Sequence, residues 1–505
     1  MRSFLILLAL GSLALMVACG GSGSSSNVTS TITSVTDSCS PSTITYGQTS
    51  QCSATVMGTG NFNSAVTWSV TCSTGSCGSI SASGLYSAPS SGTVALQVTI
   101  TATSVQNTTI SGSTTVTVNP IQPLNNVAPI IVDSGPTGLN PPSVNVGFVT
   151  VKVCVPSTNT CQTIDHVSVD TGSSGLRIVS SVLTIPLPAE PDSSGNPLDE
   201  CLVFLDGYVW GPVQTADIYV AGEKAAKVPV QVMIPSTSSP PVPSGCSSQS
   251  PPGGNGNEGG SVDTFGANAL IGVGLFQQDC GPGCVSASPP YPVYYDCPAS
   301  GCNPTNVTLA QQLANPVASF TTDNNGVLIQ LPSVPDGGSL NPTGSLIFGI
   351  GTQSNNGLGS ATVYPVPDTG NNAGDFTTTF NGTAYPASFI DSGSNGLFFL
   401  NMATTLIATC PGNNSGWYCP AMSPDNLTAV NQGTNGIPGP TTNFSIENAD
   451  NLFNTNNTAF STLGGPNPGA FDWGLSFFFG RNVFTAIENM STPGGTGPYF
   501  AYNNP

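Results

Sequence analysis

Val167-Ser168-Val169-Asp170-Thr171-Gly172-Ser173-Ser174-Gly175-Leu176-Arg177-Ile178 is echoed later in the chain by Ser388-Phe389-Ile390-Asp391-Ser392-Gly393-Ser394-Asn395-Gly396-Leu397-Phe398-Phe399. Each copy reads as an apolar strand that delivers one aspartate into a small, hydroxyl-rich turn and then resumes as apolar strand. A strand–turn–strand unit written twice marks an internal approximate repeat, with one carboxylate, Asp170 or Asp391, in each copy.

Two carboxylates held close in a partly dry cleft cannot both ionise cheaply, so the pair keeps one proton as a base–acid couple. The ionised member takes a proton from a bound water while the protonated one polarises a carbonyl. Gly172 and Gly393 let backbone N–H groups approach the carboxylates closely. Thr171 and Ser392 are placed to hydrogen-bond across the pair, and Ser173 and Ser394 to support it from outside. The tripeptide alone is weak evidence, because Asp133-Ser134-Gly135 and Asp368-Thr369-Gly370 occur as well. The first runs into Pro136 and the second lies in a Gly/Asn-rich stretch, so both are read as turns.

On these motifs the chain resembles pepsin-like aspartic peptidases, over most of residues 129–505. Gly147-Phe148-Val149-Thr150-Val151-Lys152-Val153 is similar to the hairpin leading to the first aspartate, and Ala269-Leu270-Ile271-Gly272 to the apolar segment behind that loop. Gly344-Ser345-Leu346-Ile347-Phe348-Gly349 resembles the strand opening the second lobe. The closing segment resembles Trp473-Gly474-Leu475 through Val483-Phe484-Thr485-Ala486-Ile487, with either Gly474 or Gly480 at the family glycine. An uncharacterised bacterial lipoprotein family, known as a domain of unknown function, resembles the region more closely still. The resemblance implies Asp170 and Asp391 as catalytic residues and a peptide or protein as substrate.

The resemblance also implies a flap hairpin carrying a tyrosine over the cleft, braced by a tryptophan after the first motif. Here Leu202 to Tyr219 is the flap segment, and its best register puts Phe204 at the tyrosine position, with Tyr208 or Trp210 reached by a shifted hairpin. Arg177 stands at the tryptophan position, as a substrate-binding cation or as a partner for a nearby carboxylate. A flap orders substrate and excludes water, so this departure bears on activity more than on fold.

The composition agrees with carboxylate chemistry. Only 6% of the 505 residues are charged, yet 38% are hydrophobic and fall in short apolar runs along the whole length. Disordered chains lack such runs, so the chain reads as a β-rich, loop-rich globular protein. With 25 acidic and 6 basic residues the net charge is −19, which makes nucleic acid and anionic membrane surfaces poor partners. His166 is the single histidine. A His-rich metal site is therefore excluded, and a Ser-His-Asp triad would have to be built around that one imidazole. No metal or cofactor is predicted.

At the N-terminus, Met1 and Arg2 precede an apolar run from Phe4 to Ala18, which reads as a signal peptide over 1–18. Met16-Val17-Ala18-Cys19 resembles a bacterial lipobox, which implies that Cys19 becomes the lipidated first residue, with 19–27 as anchor and flexible tether. An ordinary secretory signal with an incidental Cys19 is the alternative. The lipid reading implies a bacterial cell-envelope protein, at the outer membrane or cell surface, joined to the membrane by its anchor. Fifteen cysteines less Cys19 leave an even set, as expected in an oxidising compartment. Local pairs are available as Cys39/Cys52, Cys72/Cys77, Cys154/Cys161, Cys201/Cys246, Cys280/Cys284, Cys297/Cys302 and Cys410/Cys419, with a zinc site as the rival for Cys280 to Cys302.

Residues 28–119 alternate Val, Thr, Ile and Ser in short runs, the pattern of a β-sandwich, with Trp68 in the Val66–Val70 strand as a core residue. Gly78-Ser79-Ile80-Ser81-Ala82-Ser83-Gly84-Leu85-Tyr86-Ser87-Ala88-Pro89 resembles a signature of bacterial Ig-like (group 2) domains, which implies a spacer. A linker follows at 120–128, then an N-terminal lobe at 129–315 and a C-terminal lobe at 316–505. The sequence thus predicts an all-β chain, an Ig-like sandwich followed by a bilobal pepsin-like domain. Its predicted function is that of an exported aspartic endopeptidase. A non-catalytic surface binding module is the alternative, and a carboxylate glycosidase a third reading, disfavoured because glycosidases need no duplicated Ser/Thr-Gly turns.

Overall fold

The computed structural model describes residues 29–503 apart from 74, 91, 93, 121–124, 193, 205–206 and 249–256. The predicted signal peptide, Cys19 and the tether lie outside the described residues. The chain divides into two compact units, Met1–Pro123 and Leu124–Pro505. No helix among the described residues is long and apolar enough to cross a membrane.

The first unit is a sandwich of two four-stranded sheets. One runs Thr31–Ser40, Thr49–Thr59, Leu85–Ser87, Ser79–Ile80, and the other Thr43–Thr45, Ser111–Asn119, Leu96–Ser104, Val66–Cys72. Alternating burial along Leu96–Ser104 sends Leu96, Val98, Ile100 and Ala102 inward, as a half-buried strand of period two requires. Leu96, Val98 and Ile100 meet Tyr86, Val116 and Val118 in one core. Trp68 is only half-buried, against that core rather than in it. Its strand lies at the edge of its sheet, paired solely with Leu96–Ser104.

The second unit is all-β as well, compatible with the pepsin-like fold. The strand Val127–Val132 joins its halves: it pairs with Gly147–Cys154 on one side and with Thr343–Phe348 on the other. A continuous sheet therefore runs from the first lobe through Gly326–Gln330, Asn482–Ala486 and Tyr499–Tyr502. A separate seven-stranded sheet carries the second aspartate motif. One hydrophobic core spans both, from Val151, Val167 and Ile271 to Phe399, Phe471 and Trp473.

All seven local cysteine pairs are disulfide-bonded. Cys39–Cys52 and Cys154–Cys161 join residues directly opposite each other on paired strands. Cys280–Cys284 and Cys297–Cys302 take up the cysteines for which zinc was the rival reading.

Candidate active site

The two aspartate loops are built the same way. Cys161–Asp170 runs parallel to Ala269–Val273, with Asp170 opposite Gly272, and that strand then pairs antiparallel with Ser174–Val179. In the second copy Thr383–Ile390 runs parallel to Asn467–Trp473, with Ile390 opposite Trp473, and that strand pairs antiparallel with Leu397–Leu400. Each loop is thus threaded beside a crossing strand from later in the chain. The close crossing needs glycine: a Cβ on Gly272 would lie 2.7 Å from the Ser174 nitrogen, and one on Gly474 would lie 2.0 Å from the Gly396 oxygen. Gly474, not Gly480, is therefore the counterpart of Gly272; Gly480 lies against Ser333.

Asp170 and Asp391 face each other at the junction. The Gly172 N–H donates to Asp170 Oδ1 at 2.7 Å, and the Gly393 N–H donates to Asp391 Oδ1 at 2.7 Å. The loops cross so closely that a Cβ on Gly172 would meet the Asp391 carboxyl carbon at 2.7 Å, and one on Gly393 would meet Asp170 Oδ1 at 2.7 Å. Ser173 Oγ donates to Asp170 Oδ2. Below the pair, the Ser392 N–H donates to Thr171 Oγ1 at 2.9 Å and the Thr171 N–H to Ser392 Oγ at 3.1 Å. Ser392 Oγ in turn donates to the Val169 carbonyl at 2.8 Å. Thr171 and Ser392 are buried, whereas Gly172 and Gly393 are exposed and Asp391 is half-buried, so the dyad opens to solvent on one side.

Burial, with the negative charges of Asp170 and Asp472 next in weight, holds the Asp391 carboxyl well above the usual carboxylate range. Asp472 escaped the reading of the sequence. It is 1% exposed, and its Oδ2 lies 2.6 Å from Ser394 Oγ, which also lies 3.1 Å from Asp391 Oδ2. Burial pushes its carboxyl up to about 8. The signal in the sequence was a lone charge between aromatics in Phe471-Asp472-Trp473.

Around the dyad, the flap segment forms the hairpin of Leu198–Val203 with Gly207–Val220. Trp210 is fully buried and packs edge-on against Tyr295, with its Nε1 donating to the Pro240 carbonyl. Tyr208 lies in the same cluster beside the Cys201–Cys246 bridge. Phe204 packs against Phe265. The contacts of all three candidates are with the first lobe's own packing. The hairpin is also backed by Tyr294–Asp296, which pairs with Leu198–Val203.

Arg177 is wholly buried. Its guanidinium reaches Glu200 at 2.6 Å, Asp279 at 3.3 Å and the Ser174 carbonyl at 2.7 Å. It is a carboxylate partner that ties the first aspartate loop to the hairpin. His166 lies 3.3 Å from Asp133, whose other oxygen accepts from the Gly135 N–H as a turn residue does. Asp368 is exposed in a bend.

None of the curated proteins matches the chain. Among solved structures, that of the aspartic proteinase from Irpex lacteus is similar over 75% of this chain and 96% of that one, at 16% identity and a TM-score of 0.44. The family described as Protein of unknown function (DUF3443) matches residues 122–502. That match takes in both aspartate loops and every described strand of the second unit, and the chain therefore belongs to this family of proteins of unknown function.

Proposed function

We propose that the chain is an exported, surface-anchored aspartic endopeptidase that hydrolyses peptide bonds with the Asp170/Asp391 dyad and an activated water. One observation carries this reading. Two carboxyl groups from duplicated loops face each other, each held by a glycine N–H, with burial and like charge keeping a proton on the Asp391 side. That proton polarises the scissile carbonyl while the partner carboxylate takes a proton from water, and it then gives that proton to the leaving nitrogen as the tetrahedral intermediate collapses. In this reading the first unit is an Ig-like spacer and lipidated Cys19 the membrane anchor.

The packing of Tyr208 and Trp210 in the core of the first lobe favours a second reading, a non-catalytic surface binding module on the same scaffold. The test uses residues 27–505 with disulfides formed, incubated with denatured proteins from acidic to neutral pH, with new peptide ends mapped by mass spectrometry. Cleavage by the parent is expected, with Asp170→Asn and Asp391→Asn each losing about 10²–10⁴-fold or more. No cleavage by folded protein at any pH would leave the binding module.

A further inference from the structure

The duplicated loops differ at one buried position. Asp472 stands opposite Phe389, two residues before Asp391, and at the matching place in the first lobe Leu270 stands opposite Ser168, two residues before Asp170. The outer serine of the first loop, Ser173, therefore serves Asp170 alone, whereas that of the second, Ser394, lies between two carboxyl groups. A serine hydroxyl has one hydrogen and two acceptor lone pairs. If Asp391 and Asp472 were both ionised, they would compete for that hydrogen. With a proton on Asp472, its O–H donates to Ser394 Oγ, whose own hydrogen donates to Asp391 Oδ2, and neither of these two contacts lacks a hydrogen.

The surroundings favour the protonated form. Asp472 Oδ1 is buried without a hydrogen-bond partner, and no salt bridge reaches this carboxyl among the described residues. The charged groups acting on it are the two dyad carboxylates, and the strands on either side place Phe389 and Phe398 at its register. A carboxyl so placed loses little by staying neutral and would need compensation to ionise.

We infer that Asp472 is a third carboxyl group of this site, a positioning residue that holds a proton behind Ser394 and shares it with the dyad. When Asp391 is ionised, the Ser394 hydrogen passes to it along the chain as the Asp472 proton passes to Ser394. Asp391 is then protonated, Asp472 ionised and the serine unchanged. This rests on Asp170 and Asp391 being the working pair, and it concerns where their proton lies as pH rises. Ionisation of the three groups is then coupled, and the dyad keeps part of a proton until Asp472 has also titrated.

The test does not require peptide cleavage. An aryloxymethyl epoxide esterifies a dyad carboxylate: its oxygen attacks an epoxide carbon, the ring C–O bond breaks, and the alkoxide takes the proton of the partner carboxyl. The labelling rate of Asp170 and Asp391, mapped by mass spectrometry across pH, is compared in the parent, Asp472→Asn and Asp472→Leu. In the parent the alkaline limb should fall in two steps, the later one near the value of about 8 to which Asp472 is pushed. Both variants should lose the later step. Superposable profiles from folded proteins would overturn the inference. As a second measurement, the infrared C=O band of a buried neutral carboxyl at neutral pH should be weaker in Asp472→Asn, and an unchanged spectrum would equally overturn it. A two-step limb without peptide cleavage would sink the peptidase reading alone, and cleavage with superposable limbs would sink the inference alone.

Discussion

Thr171 and Ser392 hold each other across the two aspartate loops, each backbone N–H donating to the other's side-chain oxygen, at 2.9 and 3.1 Å. The bonds are reciprocal and buried, so the distance between the carboxylates is fixed from below. In Thr171→Val, which keeps shape but removes Oγ1, the buried Ser392 N–H loses its acceptor at a cost of ~1–3 kcal/mol. Loosening of the loops should lower peptide cleavage by ~10²-fold, as small misplacements at a reacting pair do. Thr171→Ser retains the oxygen and should stay near the parent. Denaturant titration and cleavage rates on the three proteins check this; a Thr171→Val protein as active as the parent would refute it.

The crossing of the loops gives a sharper expectation at Gly172, whose added Cβ would meet the Asp391 carboxyl carbon at 2.7 Å. Gly172 does not adopt a positive φ, so alanine fits the backbone but not the gap. Gly172→Ala should cost ~1–3 kcal/mol by overpacking and abolish cleavage by pushing the carboxylates apart. Circular dichroism, melting and cleavage assays separate the two effects. Retained cleavage would show that the dyad tolerates a wider spacing.

Stability should fall as pH rises. Unfolded aspartates lose their proton near ~3.9, whereas burial keeps protons on Asp472 up to about 8 and on Asp199 up to about 7. Between those values the native state binds more protons than the unfolded chain, so the slope of stability against pH is negative there. The melting temperature should therefore be higher at pH 4 than at pH 8, and the drop should be smaller in Asp472→Asn. Sparse cations act the same way, limiting self-repulsion in acid. A parent equally stable at both pH values would contradict this.

Among the described residues, Arg177 is the single cation paired with Glu200 and Asp279, and all three side chains are buried. Arg177→Met leaves two buried acids together and should destabilise the chain by ~3–5 kcal/mol. Asp279→Asn should cost much less, because the repulsion that Glu200 adds to burial already raises the Asp279 carboxyl well above its usual range. Urea titrations of both variants decide the order. Equal losses would mean that both carboxylates are ionised and needed.

Much of this was legible locally. The duplicated turns, the strand alternation and the cysteine pairs all depend on residues near one another in sequence. Beyond the segment at Ala269–Gly272 that the resemblance set behind the first loop, pairing between distant segments was not legible. Asp472 enters the site only because Asn467–Trp473 inserts between the two strands of the second motif, a register no local pattern encodes. Arg177 gains Asp279 and Tyr294 lies behind it for the same reason. The flap aromatics were placed by hairpin register, but Tyr294–Asp296 and the Cys201–Cys246 bridge draw Trp210 into the core. Trp68 falls short of a core position because it lies on an edge strand with a neighbour on one side only.

Every bridge in the described chain joins a cysteine to the next one along the sequence, the widest separation being 45 residues at Cys201–Cys246. A chain emerging from its N-terminus therefore presents each thiol with its correct partner before any later competitor arrives. From Cys39 to Cys419, oxidation in order of appearance yields the native connectivity without reshuffling. A thiol oxidant alone, with no disulfide isomerase, should suffice to mature this protein.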